Sequence, residues 1–301
     1  MKDIVSIVFR LTLTCLMAAT VMGVAFIVTN KAKKHNEHVR EERTMYALLG
    51  YSEAKPAPAS VVLHQIYRYI ITEGEVQFVS YLIPTGSGKP GVSNAYSLVS
   101  LDLQGKLVDQ KPVAIDGEKI RGREDRDKAV IAVAGSGKDV RFADHTIIVT
   151  ENGKRIAYLL GGKFPGFKTF IGVMLALDPQ YTMVGMEILE HEEDPGLGAE
   201  IEQDYFKNQF QGKAFSTLKG LKVVKEPLPA EYQQALEGGI AEADMARIME
   251  QYKEKDIYAL TGATISSRSV TDGVKGMVKK FAYRLDILDK VLKEQQIAVS
   301  F

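Results

Sequence analysis

The sequence predicts an α+β fold, a single N-terminal transmembrane helix followed by an antiparallel sheet packed with helices. Three features carry this expectation: an uncharged apolar run near the start, alternating β-branched segments joined by tight turns, and a long amphipathic pattern near the end. With 301 residues the chain can hold one large domain or two modest ones. Lys plus Arg and Asp plus Glu are 38 each, so the formal net charge is zero. That balance, with no basic run interleaved with aromatics, argues against nucleic acid as a partner. The single cysteine, Cys15, excludes both a disulfide and a thiolate metal cluster within the chain.

The elements follow in order. Residues 1–30 read as a transmembrane anchor, because Leu11 to Thr29 carries no charge and has the length to cross a bilayer. The run exceeds a usual signal-peptide core and no small-x-small cleavage site follows it. Thr12, Leu13 and Thr14 also make a poor lipoprotein site before Cys15. Residues 31–60 read as a stalk helix, "KKHNEHVREERTMYALLGY", ending at Gly50, and a linker, "SEAKPAPAS". Residues 61–144 form an additional β-rich region that begins with strands around a Glu73–Gly74 turn. "TGSGKPG" and "AGSGKDV" are flexible turns; neither is a nucleotide loop, since Ile83 and Ala132 stand where that pattern needs glycine. "REDRDK" is expected to be a solvated charged loop.

Residues 145–301 have a different texture. "TIIVTENGKRIAYLL" predicts a hairpin closed by Asn152–Gly153. "FKTFIGVMLALD" and "YTMVGMEILEH" predict strands paired across Pro179–Gln180. A turn-rich loop, "EEDPGLGAEI", and a short helix at "DYFKNQF" come next, then a polar, partly helical stretch with the look of an insertion. Finally Val270, Val274, Met277, Val278, Phe281, Leu285, Leu288 and Leu292 recur at three and four, marking one face of a long helix that begins near Ser266.

Two loops carry the candidate chemistry. "HEEDPGLG" contributes His191, Glu193, Asp194, Pro195, Gly196, Leu197 and Gly198, and "TGATISS" contributes Thr261, Gly262, Ala263, Thr264, Ser266 and Ser267. By themselves they read as a β-turn and a helix cap. The second loop also suits a phosphate, because free N–H groups and the dipole of a helix start favour an anion. A hydrolytic triad built on His191 and Glu193 has only spacing behind it. His35, His38, His64, His145 and His191 are too scattered to suggest a metal site.

"TGATISSRSV" resembles the Ser/Thr-Gly-Ala-Thr motif at which FMN is esterified to the last threonine in the G subunit of Rnf complexes and the C subunit of sodium-pumping NADH:quinone reductases. "HEEDPGLGAEI" resembles the second signature of that family, His-x-Glu-Thr-Pro-Gly-Leu-Gly. The order of anchor, "ALLGY" helix, sheet, first loop, second loop and final helix also fits, and "ISSRSV" is closer to the Rnf form. The resemblance is loose over the first 50 residues and good over 145–295. Three departures stand out. Tyr258 occupies a position where the family usually has Asp, with Asp256 the nearest acid, and Asp194 replaces the usual threonine. Residues 51–144 have no evident counterpart, which leaves an added β module or an elaborated sheet edge.

The resemblance implies an electron-transfer subunit of a membrane-bound, ion-translocating Rnf-type complex, carrying covalent FMN on Thr264. Gly262 and Ala263 would leave room for the phosphate, Ser266 and Ser267 would bond its oxygens, and Pro195 and Leu197 would pack on the flavin ring. Implied partners are the other subunits of the redox complex, a flavin transferase for maturation, and the membrane. A tether makes cofactor supply independent of a free pool. The family places the soluble domain on the extracytoplasmic side. Charge points the other way: Lys31, Lys33, Lys34, Arg40 and Arg43 follow the span, against Lys2 and Arg10 before it. The expectation follows the family, since acidic residues are interleaved among those cations. The alternatives are a membrane-anchored structural or sensory domain of the same fold without flavin, and a flavin carrier for another extracytoplasmic reductase.

Overall fold

The computed structural model describes residues 2–85, 95–117 and 119–301. The chain divides into two compact units, Met1–Ala47 and Leu48–Phe301. Most of the first is helix α1 (Lys2–Leu48), so anchor and stalk form one continuous helix. Its Ser6–Ile27 segment is long and apolar enough to cross a membrane. Within that segment the hydroxyls of Thr12, Thr14 and Thr20 donate to the carbonyls of Val8, Arg10 and Leu16 at 2.8, 3.0 and 2.8 Å. These bonds satisfy polar groups that hydrocarbon would leave unpaired.

The second unit is built on one eight-stranded antiparallel sheet, ordered β4-β3-β2-β1-β5-β6-β7-β8. The strands are β1 (Val61–Glu73), β2 (Val76–Pro84), β3 (Tyr96–Leu101) and β4 (Leu107–Val113). They continue as β5 (Asp139–Glu151), β6 (Lys154–Pro165), β7 (Phe170–Leu177) and β8 (Met183–Glu190). The expected turns close these strands, with Asn152 and Gly153 at φ of 51° and 75° between β5 and β6. The boundary expected at 144–145 falls inside β5, and β1 pairs with β5 from Val61↔Glu151 to Thr72↔Asp139. Residues 61–113 therefore extend the sheet that the later hairpins begin. The expected turn at "TGSGKPG" lies, from residue 86 onward, outside the described residues. That at "AGSGKDV" contains Gly135 and Gly137, both with positive φ.

Alternation along β1 feeds both faces of the sheet. Ile66 belongs to the core that the carboxy-terminal helix covers, whereas Tyr67, Tyr69 and Ile71 belong to a second core on the other face. A helix absent from the sequence expectation covers that second core. "REDRDK" opens α2 (Arg123–Ala134) rather than a solvated loop, and Arg126 is only 4% exposed. Its guanidinium lies 4.0 Å from the Tyr67 ring centre and 5.1 Å from that of Phe142. It donates to Tyr69 Oη at 3.0 Å and to the Ile120 carbonyl at 3.0 Å. Aromatic faces and fixed acceptors let a guanidinium leave water without being left unpaired.

Beyond β8 come short helices, including α3 (Asp204–Lys207), α4 (Phe215–Leu218), α5 (Ala230–Leu236) and α6 (Glu242–Tyr252). A small parallel pair joins β9 (Val223–Val224) to β10 (Ile257–Tyr258). The last element is α7 (Thr264–Glu294), which starts two residues earlier than the apolar pattern suggests. Val270, Val274, Val278, Leu285 and Leu288 are all buried, so the stripe read from the sequence is the face laid on the sheet.

Candidate functional site

The two loops singled out in the sequence meet at the start of α7. Thr264 is the first residue of that helix and Ala263 is its N-cap, which makes no side-chain cap bond. The N–H groups of Thr264, Ile265 and Ser266 have no acceptor within the helix, because they precede the first i→i−4 bond, from Ser267 N to Ala263 O at 3.1 Å. Ser267 is fully buried and organises the turn: its hydroxyl accepts from Leu260 N and donates to Ala263 O, each at 3.0 Å. Gly262 has φ of +77°, a conformation side chains rarely adopt. Thr261 is exposed and Thr264 half-buried.

The first loop is held from inside by Glu193, which is 5% exposed. Its carboxylate accepts from Phe167 N at 2.8 Å and Lys168 N at 3.2 Å, and also receives the Ser266 hydroxyl. Three donors from two other segments thus converge on one buried charge. His191 supports the bend: its Nδ1 accepts from Glu193 N at 3.1 Å, and its Nε2 lies 3.0 Å from Glu202 Oε1. Asp194 closes the following turn, its carbonyl accepting from Leu197 N at 3.1 Å and Ala199 N at 3.0 Å. The Asp194 carboxylate pairs with Lys168 at 2.5 Å, which raises that ammonium above the usual lysine range. Asp194 therefore has a local partner of its own.

Close packing joins the loops at two further points. A Cβ on Gly198 would lie 2.8 Å from both Glu193 Oε2 and Ser266 Oγ. A Cβ on Gly262 would lie 2.9 Å from the Leu197 side chain, which is otherwise 46% exposed. Pro195 and Gly196 are exposed at the outer edge of the loop.

Beside them opens a cavity of about 380 Å³, bordered by Gly196, Tyr205, Gln209, Leu228, Tyr258 and Thr261. This is within the size range of cofactor sites. Burial and a 2.9 Å bond to Glu200 push the Tyr205 phenol up to about 12, so it remains a protonated donor. Gln209 clasps the wall: it accepts from Tyr258 N at 2.8 Å and donates to Tyr258 O at 3.3 Å. Asp256 accepts from Lys222 N at 2.9 Å. Tyr205, Gln209 and Leu228 escaped the sequence reading, because no spacing or motif links them to either loop. Among the described residues, no group of three or more His, Cys, Asp or Glu is placed to hold a metal ion.

A helix start whose first N–H groups have no helical acceptor, beside a cavity of this size, has the chemistry to receive an anionic group. Residues 166–279 match the FMN-binding domain family, and this segment contains both loops. It is 32% identical over 127 residues to the G subunit of the proton-translocating ferredoxin:NAD(+) oxidoreductase complex of Clostridium ljungdahlii, covering 42% of this chain and 54% of that one. It is 37% identical over 60 residues to the G subunit of the ion-translocating oxidoreductase complex of Pasteurella multocida, covering 20% of this chain and 30% of that one. The chain thus spans about half the length of the first relative and less of the second. Among solved structures, Shewanella oneidensis NqrC aligns with 46% of this chain and 57% of its own at 20% identity, with a TM-score of 0.33. The C subunit of the Na(+)-translocating NADH-quinone reductase of Parabacteroides distasonis aligns with 46% of this chain and 60% of its own, at 21% identity and a TM-score of 0.32.

Proposed function

We propose that the chain is the flavin-carrying electron-transfer subunit of a membrane-bound, ion-translocating oxidoreductase complex of the Rnf type, with FMN joined through its phosphate to Thr264 Oγ1. The observation that carries this reading is the convergence of both loops of the FMN-binding segment on a helix start whose first residue is Thr264. The residues present fit the group. Thr264 supplies the hydroxyl, and the N–H groups of residues 264–266, with the positive end of the α7 dipole, balance the phosphate charge. Gly262 takes the positive φ of the turn and lets Leu197 pack close against it.

The serines act differently from a pair of phosphate ligands in this reading. Ser266 is committed to Glu193 and Ser267 to its own turn, so they set the position of the backbone donors. Leu197 and Pro195 offer apolar surface to the ring, and Tyr205 and Tyr258 line the cavity beside it. Bound FMN supplies one- and two-electron transfer, while the protein supplies position and electrostatics. Ser6–Ile27 crosses the membrane, the folded unit lies on the extracytoplasmic side, and a flavin transferase forms the ester. Multi-span subunits of the complex are the partners and carry ion movement.

Production of the full chain with a flavin transferase tests this. Denatured wild-type protein is expected to fluoresce as a flavin polypeptide in a gel, and Thr264→Ala to be dark while still folding. Tagged protein from its own host is expected to bring down multi-span membrane subunits. A dark wild type points instead to a flavin-free scaffold.

A further inference from the structure

A second cavity, of about 480 Å³, lies between α7 and the sheet, away from the two flavin loops. A cleft of this size, open to solvent on one side, has the dimensions of a ligand site. Its walls are apolar over a broad area: Ile66, Ile148 and Leu160 come from the sheet, and Phe281, Leu285 and Leu288 from the helix. A Cβ on Gly273 would collide with the Phe164 ring, and both residues border the cavity.

The polar part of the lining is cationic. Asp144 on β5 accepts from Arg68 Nε at 2.9 Å and from Arg284 Nη1 at 3.0 Å, with a further Arg68 contact. One carboxylate therefore lies between two guanidiniums. Lys280, one helical turn before Arg284, borders the same cavity and has no ion pair among the described residues. The remaining charged residues of the lining are matched: Asp272 by Lys275 at 2.6 Å and Lys163 by Glu190. The lining therefore carries two more positive than negative charges beside an apolar wall. Arg284 is half-buried and Lys280 exposed, and both can pair with an anion, while the apolar wall favours hydrocarbon.

We propose that this cavity binds an amphipathic anion, with a carboxylate or phosphate-ester head at Arg284 and Lys280 and an aliphatic body over Ile66, Leu160 and Leu288. The chemistry is that of a free fatty acid or of an anionic lipid. The site shares no residue with the flavin loops, so its occupancy is independent of the flavin reading.

Calorimetric titration of the full chain in a nonionic detergent provides the test. Octanoate and octyl phosphate are expected to bind saturably, and octanol and octyltrimethylammonium at least about tenfold more weakly. Lys280→Gln, which breaks no ion pair, is expected to weaken octyl phosphate about tenfold without changing the unfolding temperature. Thr146→Phe, which fills the cavity from β5, is expected to abolish binding. In a second arm, native mass spectrometry of protein from nanodiscs containing phosphatidic acid identifies a bilayer source if lipid is retained. Loss of all lipid together with octanoate binding identifies a soluble one. Equal binding of octanol and octanoate, indifference to Lys280→Gln, or no binding in either arm overturns the proposal.

Discussion

The Ser266 hydroxyl donates to the buried Glu193 carboxylate across 73 residues of sequence, so the helix start and the first loop are one mechanical unit. The other face of the same carboxylate is taken by the amides of Phe167 and Lys168. Glu193 is thus the joint of three segments, and it orients the backbone donors at Thr264 without needing to touch a ligand.

Removing that joint has a measurable cost. Glu193→Ala strands two amides and a hydroxyl in a buried setting and is expected to lower stability by about 3 kcal/mol. Glu193→Gln keeps one carbonyl acceptor for the amides and is expected to cost about 1 kcal/mol. Urea unfolding checks both; equal losses for the two variants would show that the charge and its donors are not the source.

Gly262 and Leu197 make a coupled pair. Gly262→Ala forces a side chain into φ of +77° and against Leu197, and is expected to cost about 2 kcal/mol. Leu197→Ala removes the steric part, so the double variant is expected to recover roughly half of that loss. A strictly additive thermodynamic cycle contradicts the close approach.

Lys213 predicts a pH signature. It is 1% exposed and its ammonium donates to the carbonyls of Tyr252, Lys253 and Lys255 at 3.1, 3.1 and 2.6 Å, holding the chain that leads into β10. Burial pushes its pKa down from 10.5 to about 8, with Asp256 opposing the shift. The unfolded chain therefore binds more protons between these values, and this group's contribution to stability rises from pH 8 to 10.5. Wild type minus Lys213→Met is expected to rise by up to about 3 kcal/mol over that window, and a flat difference counts against it.

Arg126 tests whether the two faces of the sheet are independent, since it packs with Tyr67, Tyr69 and Phe142 on the face opposite α7. Arg126→Leu loses the aromatic stacking and the bonds to Tyr69 and Ile120, and is expected to cost about 3 kcal/mol. Flavin content per folded molecule is expected to be unchanged, since the flavin loops lie elsewhere. Loss of flavin at full folding would show coupling between the faces.

The elements that the sequence made legible are those with local signals. The 3.6-residue stripe from Val270 to Leu288 and the Asn152–Gly153 turn each carry their own chemistry, and both appear where expected. The helix at Arg123–Ala134 was hidden because its buried cation looks like a solvated one until Tyr67 and Phe142 are folded against it. The continuity of the sheet was hidden because Val61 and Glu151 are neighbours only after a long loop closes. At the site, the loops were readable as motifs. Their junction through Leu197 and Gly262, and the cavity wall from Tyr205 and Gln209, depend on tertiary placement alone.

Peptide mass spectrometry of protein from its own host addresses the central claim most directly. The account predicts that the peptide containing Thr264 carries the mass of one FMN less one water, with fragmentation placing it on that residue. The same peptide recovered only in unmodified form, from membranes in which the complex is active, would contradict it.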